Sequence, residues 1–311
     1  MFKTKSGRMP ARHRYRETLR IYSLLLPNLI LFLACSLYPV IWTLKYVFFQ
    51  YGGYGTGQAR FVGLDNLARV FRDGVYWQSV CNTFVYGFGK ILFVIPAAFV
   101  LAVLLNRQRK GEGLLQSIVF LPTIMSSAVM GLVFYLLFNA YNGEINKYLL
   151  ALHIVDKPVN WLGKEHAMQT LILTAVWGGL GNYMVYFLAG LQQISKDTLE
   201  SARIDGAGRI QTVCYITLPL LGPILKIILM LSITSAFADI TTVMVLTEGG
   251  PNNSTMLMSL YGYQYFFPVS AAQSTVPQYG YGSAVSVCSA AIAGFITLIY
   301  MRISKKLDDI Y

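Results

Sequence analysis

The stretch ESARIDGAGRIQTVCYITLP, Glu200 to Pro219, is a polar, charged run set between two long apolar segments. What such a hydrophobic chain does with that insert decides how the rest is read. Of 311 residues, 55% are hydrophobic and only 13% charged, with a mean hydropathy of +0.51. Soluble domains carry about 25% charged residues, so the deficit, spread over long apolar runs, places the chain among membrane proteins. Cys35, Cys81, Cys214 and Cys288 stand singly, without CxxC or Cys/His spacing, and read as small apolar packing residues.

Six runs are long enough to cross a bilayer as helices, which takes about 20 residues: 22–48, 83–105, 115–138, 168–191, 220–246 and 282–303. Pro27 and Pro39 predict a kink in the first. That run is too long for a signal peptide, and no small-residue cleavage site follows it. Basic residues set the orientation. One side holds Lys3, Lys5, Arg8, Arg12, Arg14, Arg16, Arg20, Arg107, Arg109, Lys110, Lys196, Arg203, Arg209, Arg302, Lys305 and Lys306. The other holds only Arg60, Arg69, Arg72, Lys147, Lys157 and Lys164. The positive-inside rule then puts both termini in the cytoplasm. The net charge of +11 is a topology signal and requires no nucleic-acid partner. A basic segment 1–21 precedes the spanning region 22–303, and a short tail, 304–311, follows it.

With this topology residues 195–219 form a cytoplasmic loop. Asp197 is placed to cap a short helix, with Glu200 three positions on reaching back. Gly206 and Gly208 permit a sharp turn. A second short segment, 209–217, leads to Leu218 and Pro219, where the fifth span is expected to begin. A helix, a turn and a return make a knob fit to dock into a cytoplasmic partner; an amphipathic helix lying on the membrane surface is the alternative.

The residues also carry a resemblance. ESARIDG, nine residues, then ITLP resembles the EAA loop of binding-protein-dependent ABC importer permeases, with Glu200, Ala202, Gly206, Ile216, Leu218 and Pro219 at the expected spacing. Ser201 replaces the usual second alanine, and Ser195 stands near the place of a proline. FVGLDNLARVF (61–71), FLPTIMSSAVMGLVF (120–134) and LTEGGPNNST (246–255) are similar to stretches of carbohydrate-type permeases, the last to the maltose-type first permease. The resemblance implies an all-α integral membrane protein with six transmembrane helices, of the type I ABC importer permease fold, with a cytoplasmic EAA coupling helix. That helix would sit in a cleft of a cytoplasmic ATPase subunit. Glu200, Ser201, Ala202, Asp205, Gly206, Ala207, Leu218 and Pro219 would make the coupling contact, Gly206 supplying the turn. The implied partners are a second homologous permease, two ATPase subunits and a periplasmic or lipid-anchored solute-binding protein. The implied location is the bacterial inner membrane.

The chain's own motifs agree with a non-catalytic role. GxxxxGK[ST] does not occur, and the scraps GFGKI and LGKEH lack its spacing and hydroxyl. His13, His153 and His166 lie apart without an HExxH or a nucleophile pattern. No cofactor or metal is expected in this chain; ATP and Mg would be bound by the ATPase subunits.

Ionisable residues inside a bilayer are costly and tend to face a cavity or a partner. Lys45 lies near the outer end of its span and can reach the interface by snorkelling, whereas Lys226 lies about 10 Å deep, at ~1.5 Å per residue, and either snorkels or faces a cavity or partner. Lys90 and Asp239 lie deeper and at comparable depth, so they either pair inside the bundle or line a path. Asn182 and Tyr183 add polar groups, as do Asn139 and Asn142. Tyr261, Tyr263, Tyr265, Phe266 and Phe267, with Tyr279 and Tyr281, suit sugar stacking or an interfacial aromatic belt. The outer loops, 50–82, 139–167 and 247–281, are large enough for a receptor platform, with Glu248, Gly249, Gly250, Pro251 and Asn252 the expected contacts. The expected function is half of the pathway for an oligosaccharide. The subgroup resembled handles longer saccharides, and intramembrane lysines point to an acidic polyuronate such as an alginate oligosaccharide. An ion-gradient-driven secondary sugar transporter is the alternative; it commonly shows internal repeats, and none is clear between the halves. A membrane-embedded enzyme would need convergent acids, histidines or metal ligands, which are missing.

Overall fold

The computed structural model describes residues 11–53, 58–106, 111–267 and 277–308. The basic positions 3, 5, 8, 107, 109 and 110 of the topology argument lie outside them.

The elements follow in chain order as α1 (Ala11–Phe32), α2 (Tyr38–Tyr46), the paired strands β1 (Phe49–Gln50) and β2 (Arg60–Phe61), α3 (Asp65–Arg72), α4 (Gly74–Leu104), α5 (Glu112–Ile124), α6 (Ser127–Leu137) and α7 (Glu144–Ala151). After them come α8 (Ala167–Leu191), α9 (Lys196–Ile204), α10 (Arg209–Thr212), α11 (Leu218–Leu220), α12 (Gly222–Ala238), α13 (Thr241–Leu246), α14 (Met258–Tyr263) and α15 (Tyr279–Asp308). Among the described residues four helical stretches, 22–46, 74–104, 167–191 and 279–305, are long and apolar enough to cross a bilayer, and six are if each of two bent pairs counts as one crossing.

The bends amend the sequence reading. The run 115–138 is two helices, α5 and α6, meeting at 96° across Met125–Ser126. Pro122 starts the break by removing an amide, and the Ser126 hydroxyl caps α6 by accepting from the Val129 amide at 3.3 Å. The run 220–246 is also divided, because Asp239 leaves the helix with an extended backbone between α12 and α13. At the expected start of the fifth span, Pro219 is followed by a 70° bend at Leu221, and Pro223 stands in the first turn of α12. The helix that carries the second span begins at Gly74, nine residues before position 83, because the Asp73 side chain caps α4 through the Val75 and Tyr76 amides. In the first span α1 runs on through Pro27, and the chain widens to a π-helical turn, Leu33–Leu37, just before Pro39. There the proline ring would crowd the carbonyl four residues back.

Two apolar cores hold the bundle. One joins Tyr76, Tyr86, Leu171, Val243, Leu257 and Tyr281; the other joins Val94, Ala98, Met184, Phe187, Leu191 and Ile228. α4 and α8 run through both, and α5 closes on α8 where Gly181 allows it: a Cβ there would lie 2.7 Å from the Phe120 Cα and the Val119 carbonyl oxygen. The span 22–46 buries none of its apolar window within the chain, so its face is left to lipid or another subunit.

Candidate functional site

The two divided spans meet at one place. A cavity of about 210 Å³ lies between the α5–α6 break, the α12–α13 break, and the middle of α4 and α8. Lys90, Asn182, Tyr183 and Asp239, picked out separately from the sequence, all line it. Backbone that leaves the helix at membrane depth is tolerated where protein or a water-filled cavity satisfies its polar groups.

Lys90 and Asp239 do not form an ion pair. Instead α4 and α12 interlock through two pairs of residues four apart, one on each helix face. The Tyr86 hydroxyl donates to Asp239 Oδ2 at 2.5 Å, and Lys90 Nζ donates to Ser235 Oγ at 3.2 Å. Asp239 Oδ1 also accepts from the Thr242 amide at 3.2 Å, and the Asp239 carbonyl accepts from Ser259 Oγ at 2.7 Å. The carboxyl is thus committed to the break. Lys90 is only 8% exposed, has the face of Tyr86 at 5.9 Å, and makes no ion pair among the described residues. Tyr183 and Ser235 bring their hydroxyls to 3.4 Å. The sequence reading missed Tyr86, Thr123, Thr174 and Ser235. The four-residue spacings 86/90 and 235/239 were the available signal.

Lys45 places its ammonium 5.5 Å from the Tyr46 ring and 6.0 Å from the Phe49 ring at the end of α2. The Lys226 backbone carbonyl accepts from the Tyr300 hydroxyl.

At the opposite end from β1 and β2 stands α9. Its cap is Ser195, which accepts from the Thr198 amide at 3.3 Å; Asp197 falls in the first turn instead. The helix ends in two bonds, Gly206 amide to Arg203 carbonyl and Ala207 amide to Ala202 carbonyl, 3.1 and 3.0 Å long. This closure needs a left-handed residue just past the helix, and Gly206 supplies it at φ +83°. Gly208 at φ −66° needs no such freedom; its amide donates to Gln211 Oε1. Glu200, Ser201 and Asp205 are exposed, Ala202 is buried, and Ala207 is half-buried. Leu218 is exposed and Pro219 half-buried at the following elbow. Ile204 and Ile210 project 86% and 79% exposed at the tip, an apolar surface unusual beside so many charges.

At the β1–β2 end, residues 247–256 form a folded turn against α4. Asn82 donates to the Asn253 and Met256 carbonyls, and the Thr247 and Thr255 hydroxyls meet at 2.7 Å. Of the expected contacts Glu248, Pro251 and Asn252 are exposed, Gly250 is half-buried and Gly249 is buried. Nearby, Asp73 gathers the hydroxyls of Tyr261 and Tyr281 besides its two amides. Burial opposes ionisation of this carboxyl, but the four hydrogen bonds together outweigh it and hold the group below its usual range. The aromatics of this end thus tie α4, α14 and α15 together.

A helical subunit whose broken spans frame a polar cavity at membrane depth belongs to the class of membrane transport components. The family described as binding-protein-dependent transport system inner membrane component matches residues 94–308. The probable ABC transporter permease protein YesP of Bacillus subtilis (strain 168) is 34% identical over 293 residues, 93% of this chain and 92% of that one. The lactose transport system permease protein LacF of Rhizobium radiobacter is 32% identical over 289 residues, 90% and 93% of the two chains. A crystal structure of a bacterial alginate ABC transporter in complex with alginate pentasaccharide-bound periplasmic protein contains a chain of the same fold. Its TM-score is 0.80 at 22% identity, over 95% of this chain and 97% of that one. The chain belongs to the inner-membrane component family of binding-protein-dependent transport systems. Members of this family are transport permease subunits and not enzymes.

Proposed function

We propose that the chain is one of two permease subunits of an ATP-driven importer and forms half of the path of an oligosaccharide, with an acidic polyuronate as substrate class. It crosses the membrane six times with both termini in the cytoplasm. A solute-binding protein delivers the saccharide at the β1–β2 end, and two ATPase subunits drive the cycle from the α9 end. The observation that carries the reading is the convergence of both span breaks on the cavity containing Lys90. A buried ammonium without a carboxylate partner among the described residues favours an anionic passenger, whereas Asp239 is already engaged by Tyr86 and Thr242. The relatives' names support sugar import, and the alginate complex supports delivery of an acidic saccharide by a periplasmic protein. The α9 loop supports coupling because its exposed Glu200 and Ile204 project as a closed knob. Such a knob can convert rigid-body motion of an ATPase into movement of the spans.

The test is ATP hydrolysis and uptake in proteoliposomes holding the chain with its second permease and ATPase. Binding protein loaded with a uronate oligosaccharide should stimulate both. Hydrolysis indifferent to the loaded receptor, together with uptake by this chain alone under an ion gradient, would replace the reading with the secondary transporter. Lys90→Ala should raise the KM for the uronate about tenfold, the value of one hydrogen bond to a charged group. A normal KM with normal assembly removes the acidic-substrate part.

A further inference from the structure

α9 carries both signs of charge in nine residues, and it sorts them by face. Lys196, Leu199 and Arg203, spaced as one helical stripe, turn toward a cavity of about 990 Å³ between the loop and the ends of α4 and α8. Asp197 and Glu200 do not line that cavity, and neither does the tip residue Ile204. From the other side of the loop Arg209 completes a group of three cations. No carboxylate lines the space among the described residues, and none of the three cations forms an ion pair there.

The arrangement is not that of a simple docking knob. Like charges facing one concave space repel, and the repulsion is relieved when an anion enters between them. The rest of the lining specifies which anion. Gln192 and Thr212 add hydrogen-bonding side chains beside the cations, as suits a group with several acceptor oxygens. Val103 and Leu191, at the ends of two helices long and apolar enough to cross a bilayer, give one wall an apolar surface. Basic pockets between transmembrane helices at the membrane surface are suited to phosphate head groups.

We infer that this open cavity, bordered by α9, α10 and the ends of α4 and α8, binds a phosphate group between the exposed side chains of Lys196, Arg203 and Arg209. The phosphate belongs either to an anionic phospholipid or to a free phosphate. The face of α9 bearing Glu200 stays open for a protein partner, and of the residues expected to make the coupling contact only Ala207 also lines the cavity. Occupancy would brace α9 against the spans it must move, giving the ligand influence over coupling. The inference does not depend on which solute is carried.

The test uses the full chain, reconstituted in phosphatidylcholine nanodiscs with and without phosphatidylglycerol, and separately titrated with inorganic phosphate. Binding is read by native mass spectrometry of retained lipid and by the thermal midpoint. The wild-type chain should bind saturably in one arm: retention of phosphatidylglycerol over phosphatidylcholine identifies a lipid source, and a shift with inorganic phosphate alone identifies a free one. Lys196→Gln and Arg203→Gln should each weaken that binding roughly fivefold and together roughly 25-fold. Arg203→Lys, which keeps the charge, should retain most of it and so guards against misfolding of the loop. Glu200→Gln, on the other face, should weaken neither arm. Failure to bind in both arms overturns the inference, as does binding that the Lys196→Gln/Arg203→Gln pair leaves undiminished while the fold is intact.

Discussion

Asp239 should be indispensable for its shape more than for its charge. The side chain performs two structural tasks at the α12–α13 break: it receives the Tyr86 hydroxyl and it caps the Thr242 amide. Tyr86 is fully buried. Asp239→Ala would therefore leave a buried hydroxyl without its partner, at about 1–3 kcal/mol, and an uncapped helix start, at about 0.5–2 kcal/mol. The combined loss is about 3 kcal/mol. Asp239→Asn has the same shape. Its oxygen can stay on the Thr242 amide while its NH₂ donates to the Tyr86 oxygen, because a phenol accepts as well as donates. That variant should lose about 1 kcal/mol.

The assay is reversible unfolding of the reconstituted chain in mixed micelles, with Tyr86→Phe added to complete a double-mutant cycle. A coupling energy above about 0.5 kcal/mol between positions 86 and 239 is expected for groups in direct contact. If Asp239→Ala and Asp239→Asn are equally stable, or if the cycle gives no coupling, the break is not held in this way and the reasoning fails. Because Asp239→Asn preserves the geometry, its uptake kinetics then report the charge alone.

Three further outcomes follow from named contacts. At Gly206 an added Cβ meets nothing within 4 Å, so any penalty comes from the φ of +83°; Gly206→Ala should cost about 1 kcal/mol and the β-branched Gly206→Val more. Receptor-stimulated ATP hydrolysis should fall in that order with assembly intact, and a fully coupled Gly206→Val would refute a role for the turn. Gly181→Ala drives a methyl into the backbone of α5, which cannot rotate away, and should cost about 1–3 kcal/mol. Gly294→Ala, with open space around it, is the control, and equal thermal midpoints for the two would contradict the close approach. For Asp73 the folded-state value is depressed, so its contribution is present above the unfolded value of about 3.9 and lost as pH falls through the folded one. Hydrogen exchange at 258–263 should accelerate only below about pH 4, and Asp73→Asn should abolish that acid dependence. Burial and then the bond to Asp73 push the Tyr261 hydroxyl upward, so its contribution is full below about pH 10 and declines above that.

The apolar runs were legible because a bilayer demands an unbroken apolar length, and composition alone measures it. The breaks within two of them were not. Met125–Ser126 and Asp239–Ile240 interrupt helices in segments whose average hydropathy stays high, and neither contains glycine or proline at the break itself. The signals present were Pro122, three residues ahead of the first break, and local caps: a serine three residues before Val129 and an aspartate three before Thr242. Asp239 was noticed for its charge, which hid its role as a cap. The same happened at α9, where Asp197 was the more obvious acid but Ser195 sits at the boundary. Gly206 was readable because a helix closed by a 6→1 bond requires a left-handed residue. Its neighbour Gly208 looked equivalent in sequence and is not.

What joins these details is the cost of unsatisfied backbone in hydrocarbon, several kcal/mol per group. Opening a helix at Asp239 exposes amides and carbonyls that no adjacent turn can satisfy. Asp239 Oδ1 answers the Thr242 amide, and Ser259, from the start of α14, answers the Asp239 carbonyl. Such partners must be polar and must stand within segments that are otherwise mostly apolar. Once there, they are also the groups that face the cavity: Asp239, Ser235, Tyr183 and Lys90 share its wall. A polar lining is therefore a physical consequence of a stably divided span, and selection for a path need only choose which charge remains uncommitted. Here that charge is Lys90, whose ammonium has Ser235 and the Tyr86 ring beside it and, among the described residues, no carboxylate partner.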